Sequence, residues 1–215
     1  MIKIFTETPA DAPAIETLLD NAFGPRRHMK TAERLREGRR PANELALVAL
    51  DNRTLVGTIR LWHVEAGGVP ALLLGPAAVH EGWRNQGVGA ALVETSLSRA
   101  QEQGHGAVIL VGDAPYYGRF DFRRELTLGL TLPGPVNLDR FLGLELIPGA
   151  LAGACGSVRP SGAPALVPAP MPLPETETAA MGWADVDRAD VAWADVDWAD
   201  VNRAGGNAAV AAYPY

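Results

Sequence analysis

"HEGWRNQGVGAALVETSLSRAQEQG", His80 to Gly104, places two glycines two residues apart at the mouth of a long helix-forming run. Val88, Ala91, Leu92 and Ala100 recur at helical spacing, Val93 and Leu97 broaden their face, and Gly104 stands where a helix would end. A loop that enters a helix presents unpaired N–H groups at the positive end of the helix dipole, and glycine lets a ligand approach that backbone closely. The chemistry selected is anionic. A dinucleotide fingerprint would need a third glycine at position 92, where Leu92 stands, and a P-loop would need Gly-Lys-Ser/Thr, which is missing.

Outward from this helix the period changes. Upstream, "LALVAL", "TLVGTIRLWHV" and "ALLLGPAAV" read as strands separated by "DNR" and "EAGGVP", turn chemistry suited to an antiparallel meander. The third run is apolar almost throughout, as expected of a central strand covered on both faces. Nearer the start, "TPADAPAIETLLDNAFG" predicts a capped helix. Thr8 serves as cap, Pro9 opens the first turn, Ile15, Leu18, Leu19 and Ala22 share a face, and Gly24 ends it. "KTAERLREG" predicts a shorter second helix, and "RLREGRR" (Arg34 to Arg40) reads as its solvated end. Downstream come a buried strand "AVILVGD", a short turn-helix "APYYGRF", and strands at "LTLGLTL" and "FLGLELI". The order is strand, two helices, three strands, helix, strand, short helix, two strands. It predicts an α+β fold with a mixed sheet and flanking helices.

The 215 residues, 47% of them apolar, suffice for one sizeable core. Residues 1–165 carry 17 acidic and 17 basic side chains, whereas residues 166–215 carry 8 and 2, so the net charge of −6 belongs to the tail. A neutral body argues against a nucleic-acid footprint. With no basic leader ahead of an apolar stretch and no run of eighteen apolar residues, a cytoplasmic protein without a membrane partner is expected. Cys155 is the only cysteine, so a disulfide framework and a cysteine-rich metal site are excluded, and it is expected as a small buried hydrophobe. The predicted organisation is a domain over 1–165, a Pro/Ala-rich linker over 166–182, and an acidic tail over 183–215, disordered or loosely docked. That tail holds four copies of Ala-Asp-Val-x-x between Ala184 and Arg203, which resemble pentapeptide repeats.

Arg84-Asn85-Gln86-Gly87-Val88-Gly89 resembles motif A of the GCN5-related N-acetyltransferases (the GNAT family), Arg/Gln-x-x-Gly-x-Gly/Ala. "LLLGPAAVHEGW" looks like that family's fourth strand, and "YYGRFDF" like its Tyr-x-Lys/Arg-x-Gly-Phe signature; the flavour is that of its YhbS-like subgroup. The resemblance covers roughly residues 1–160 and implies a GNAT-like, mainly antiparallel central sheet flanked by helices. It implies acetyl-CoA as co-substrate and no metal. Backbone N–H groups of Gln86, Gly87, Val88, Gly89 and Ala90, with Arg84 and Asn85, would hold the pyrophosphate. Ala78 and Val79 would pair with the pantetheine arm, the Val79 N–H polarising the thioester carbonyl. Tyr117 would protonate the departing thiolate.

Two positions depart from the pattern. Asp121 stands where the family usually has glycine, and aspartate is among the few replacements that tolerate positive φ. The asparagine that often contacts the cofactor is missing, with Asp113 its nearest neighbour. The fourth strand holds no carboxylate to act as base, which leaves His63, Glu65 and His80 as candidates, or an amine deprotonated in bulk solvent. The expected function is transfer of acetyl from acetyl-CoA to the primary amine of a small molecule or peptide, by direct attack in a ternary complex. A non-catalytic acyl-CoA-binding or protein-interaction module is the alternative, and a homodimer is allowed.

Overall fold

The computed structural model describes residues 1–165; the proposed linker and repeat tail lie outside the described residues. Strand β1 (Ile2–Thr6) leads to a capping box at Thr8, whose N–H and hydroxyl both donate to Asp11 Oδ2, at 2.7 and 2.8 Å. The first turn, Pro9–Asp11, is a 3₁₀ turn, and α1 (Ala12–Phe23) follows, burying Ile15, Leu18 and Leu19. The second helix expected over residues 30–38 is instead a 3₁₀ turn, Thr31–Leu35, followed by a turn at 36–38, and another 3₁₀ turn, Pro25–Met29, precedes it. Leu35 is the one apolar side chain fully buried there, too little to support a packed helical stripe, and ion pairs hold the segment. Strands β2 (Ala46–Asp51), β3 (Thr54–Ala66) and β4 (Val69–Val79) form the meander read from the sequence.

After β4 come α2 (Val88–Glu102), β5 (Ala107–Val111) and the short α3 (Ala114–Tyr117). The segment read as a strand at "LTLGLTL" is instead the end of a 3₁₀ turn (Glu125–Thr127) and a further turn, with only β6 (Leu130–Thr131) extended. Strand β7 (Phe141–Glu145) lies where expected, and β8 (Gly156–Pro160) has no counterpart in the sequence reading. The sheet runs β1-β2-β3-β4-β5-β7, all neighbours antiparallel except β4 and β5; β8 pairs with the far end of β3 and with β6. This is the mixed, mainly antiparallel sheet the sequence predicts.

One irregularity shapes the centre. Opposite β3, Leu61 faces Leu74 and Ile59 faces Ala77, so β4 carries one extra residue across Gly75-Pro76. The bulge keeps Leu72 and Leu74 before it, and Ala77 and Val79 after it, against the same core. That core lies under α2 and includes Leu47, Ile59, Leu92 and Val108. On the opposite face α1 packs over Val48 and Ala78, and Trp62, Leu73, Ile109 and Phe141 form a further cluster. Helix α2 sits close to the sheet at Gly57, where a Cβ would come within 2.9 Å of Leu92 Cδ1 and 3.3 Å of Val88 Cγ1. Gly57→Val is therefore expected to overpack this contact and cost about 1–3 kcal/mol, read as a lower urea midpoint at unchanged slope.

Candidate active site

The turn into α2 is built from alternating backbone conformations. Asn85 has φ 59° and Gly87, the residue capping α2, has φ 80° and ψ −2°, in the left-handed region. Asparagine and glycine are the residue types that enter that region most readily. The first N–H groups of a helix have no acceptor within it, so those of Val88, Gly89 and Ala90 line the mouth of the turn. Gln86 steadies the approach by donating its side-chain amide to Gly82 O at 2.8 Å. Arg84 Nε donates to Val79 O at 3.4 Å, and His80 Nδ1 accepts from the Gly82 N–H.

The second feature is a gap in the sheet. Parallel pairing between β4 and β5 is confined to Leu72 with Val108 and Leu73 with Ile109; beyond Leu73 the two strands part. Along β3, the His80 N–H donates to Val56 O at 2.8 Å, just past the Val79–Gly57 pair. In an antiparallel ladder this makes Val79–Gly57 a pair without mutual hydrogen bonds. The N–H and C=O of Val79, and by alternation of Ala77, thus face the gap; those of Ala78, expected from the sequence to meet a ligand there, are spent instead on Thr58. Val79 stands where its N–H can meet a ligand lying in the gap; Ala77 joins it, a position the sequence did not flag.

Tyr117 fills the inner end of this gap. It is 4% exposed and packs edge-on to Tyr116 and Phe122. Its ring lies so close to Gly112 that a Cβ at that residue would collide with Cε2 and Cδ2. Asp113 caps α3 by accepting the Tyr116 N–H at 3.0 Å, which explains an acid where a cofactor-binding asparagine was expected. Burial, together with the neighbouring Tyr116, pushes the Tyr117 phenol well above its ordinary pKa, so it stays protonated through the neutral range. Asp121 closes the turn after it at φ 64°, the left-handed conformation anticipated for that position.

Two hollows meet at the gap. On the α2 side a narrow cleft is bounded by Ala77, Val79, Gly89, Leu92, Tyr116 and Tyr117. On the other side a cavity of about 380 Å³ opens among the two 3₁₀ turns, β4 and the segment before β7. Ala77 and Tyr117 line both. The cavity also holds Arg27, Lys30, Glu33, Arg36 and Arg140. Arg27 is paired with Glu16 and with Asp20 (2.7 Å), and Arg36 with Glu33 at 2.8 Å. Within "RLREGRR" the solvated end is only partial: Arg34 and Arg40 are exposed, but Arg36 is 8% exposed, and Arg34 and Arg39 donate to Pro133 O and Gly162 O.

None of the sequence's candidate bases lines either hollow. His63 lies against His105, just beyond the C-terminal end of α2, Glu65 is exposed beside β8, and His80 is exposed at a turn. Cys155, expected to be buried, is exposed and belongs to neither hollow. Among the described residues no group of His, Cys, Asp or Glu is arranged to hold a metal ion, and no helix is long and apolar enough to cross a membrane.

A sheet split beside a glycine-capped helix, with a buried tyrosine at the apex, defines the class of N-acetyltransferase folds. The family model described as the acetyltransferase (GNAT) family matches residues 12–122, and the chain belongs to that family. Among its relatives is the YhbS protein of Escherichia coli strain K12, named an uncharacterized N-acetyltransferase. It is 33% identical over 158 residues that span 72% of this chain and 93% of the relative. The crystal structure of Escherichia coli YhbS in complex with CoA superposes with a TM-score of 0.64 at 31% identity, covering 74% of this chain and 89% of that one. A GNAT family acetyltransferase from Brucella melitensis, in complex with acetyl-CoA, shares the fold with a TM-score of 0.51 at 24% identity, over 69% of this chain and 90% of that one.

Asp121→Val would place a β-branched residue at positive φ. It is expected to cost about 1–2 kcal/mol in chemical denaturation, whereas Asp121→Gly should be neutral or mildly stabilising.

Proposed function

We propose that this protein transfers an acetyl group from acetyl-CoA to a primary amine by direct attack within a ternary complex. The observation that carries the reading is the meeting of two hollows at Ala77 and Tyr117, one leading from the anion-binding turn of α2 and the other from solvent. In this reading the N–H groups from Gln86 to Ala90 hold the pyrophosphate, with Arg84 and Asn85 at the rim. The backbone of Val79, beside Ala78, pairs with the pantetheine arm, and its N–H polarises the thioester carbonyl. That similar chains carry CoA and acetyl-CoA in their crystals supports this placement.

The amine nitrogen attacks the carbonyl carbon from the 380 Å³ cavity. The C–N bond forms, the C–S bond breaks, and its electron pair leaves on sulfur. Tyr117, held protonated by burial, donates its O–H toward that sulfur as negative charge develops. The ammonium proton is left in solvent on entry, the further proton that the nitrogen sheds as the amide forms also passes to solvent, and the proton given up by Tyr117 is restored from solvent before the next turnover, so no dedicated carboxylate is needed. Cationic side chains around the cavity disfavour a second positive charge there, so an amine entering it is driven toward its neutral, nucleophilic form. Direct transfer also fits the exposed Cys155, which lies outside both hollows. The domain ends at about residue 165, with the linker and acidic tail beyond it, in a cytoplasmic protein that acts without a metal.

Calorimetry with CoA and with acetyl-CoA tests the cofactor half. Both are expected to bind, Gly87→Val is expected to weaken them at least tenfold, and absence of binding to the wild type sinks the reading. Thiol release over a panel of amines tests the chemistry. Tyr117→Phe is expected to lower kcat by about 10²-fold with little change in the KM for acetyl-CoA. Gly112→Ala, by displacing the same ring, is expected to lower kcat in the same direction. An unchanged kcat in Tyr117→Phe removes Tyr117 as the proton donor.

A further inference from the structure

Cofactor binding does not account for the charge of the solvent-side cavity. Its lining brings four cationic side chains, Arg27, Lys30, Arg36 and Arg140, against one carboxylate, Glu33. Arg27 and Arg36 are matched by carboxylates. Arg140 is not: its Nε donates to Gly112 O at 3.2 Å, and among the described residues it forms no ion pair. The Lys30 ammonium stands 4.6 Å over the Phe23 ring at the cavity wall. Its pKa is pushed down by burial and by the charges of Arg140 and Arg36. Lys30, Arg36 and Arg140 thus bring like charges to one hollow of small-molecule size.

We infer that the acceptor is a small amine that also carries an anionic group, a carboxylate or a phosphate, held by Lys30 and Arg140 while its amino group reaches the Ala77–Tyr117 junction. The inference rests on the acetyl-transfer reading for its word acceptor, but the anion site stands on the cavity alone. Arginine offers a planar fork to either anion and lysine a point charge, a pairing suited to a compact anion. The two arms of the site have separate duties. The cationic end supplies affinity, and its field favours the neutral form of the amine at the other end.

Matched amines that differ only in the anion test this: glycine against glycinamide, glutamate against glutamine, and phosphoethanolamine against ethanolamine. Each is titrated calorimetrically into the protein saturated with CoA, and each is assayed for thiol release with acetyl-CoA. In at least one pair the anionic member is expected to bind tenfold or more tightly than its partner, and to show the higher kcat/KM. The glycine and glutamate pairs report a carboxylate preference, and the phosphoethanolamine pair a phosphate preference. Lys30→Gln with Arg140→Gln is expected to shrink that advantage below threefold, whereas Lys30→Arg with Arg140→Lys retains most of it. Because Lys30 is exposed, Lys30→Gln alone gives a folded variant in which a partial loss is expected. No anionic advantage in any pair, or an advantage that survives the double substitution to glutamine, overturns the inference. Tight binding of an anionic amine without thiol release leaves the anion site in place and overturns acetyl transfer; faster release from the neutral partners does the reverse.

Discussion

Everything in this molecule depends on the parting of β4 from β5. A central strand normally spends both edges on neighbours, since buried N–H and C=O groups left unpaired are costly. Here β4 keeps its β3 partner along almost its whole length and gives up β5 after Leu73. The groups so released, those of Ala77 and the Val79 N–H, are ones a bound chain of amides can satisfy. Other features follow from keeping that gap open. The bulge at Gly75-Pro76 holds Ala77 and Val79 against the α2 core, and Gly112 makes room for the ring that closes the inner end.

The charges are divided by the same gap. On the α2 side the attraction for an anion comes from backbone N–H groups and the helix dipole, which no side-chain titration can remove. On the other side it comes from side chains gathered at the ends of several elements. In the proposed reading, one polyanionic ligand and one small acceptor are drawn to opposite faces of the sheet without competing for the same donors. Among the described residues the two hollows share Ala77 and Tyr117.

How much of this could be read in the sequence depended on whether the signal was local. Helix α2 and strands β2 to β5 were legible because their burial imposes a period or an unbroken apolar run on consecutive residues. The glycine turn into α2 and the left-handed Asp121 were legible because a turn signature has fixed spacing. The 30–38 segment was misread as helix because Leu35 is its one buried apolar side chain, and Thr31 and Arg34 are tied instead to Pro135 O and Pro133 O, pairings that no local pattern reveals. Strand β8 escaped because Val158 is its one buried residue, and "LTLGLTL" alternates like a strand while Thr127 turns inward to donate to Phe141 O. The cavity was invisible for a related reason: Lys30 and Arg140 are 110 positions apart.

The ties that hold the cavity's outer wall also set an order of events. Thr31 and Arg34 donate to Pro135 O and Pro133 O, the Arg40 N–H donates to Ala163 O, and the Ala165 N–H to Gly38 O. A wall made by residues 25–40 therefore waits for partners made more than 90 residues later. On the ribosome, where earlier segments emerge first, the meander and α2 can condense while this wall is still without its supports. The turn into α2 would then be complete before the outer wall of the cavity, and the last stretch of the domain to emerge would tie down the residues that follow that wall.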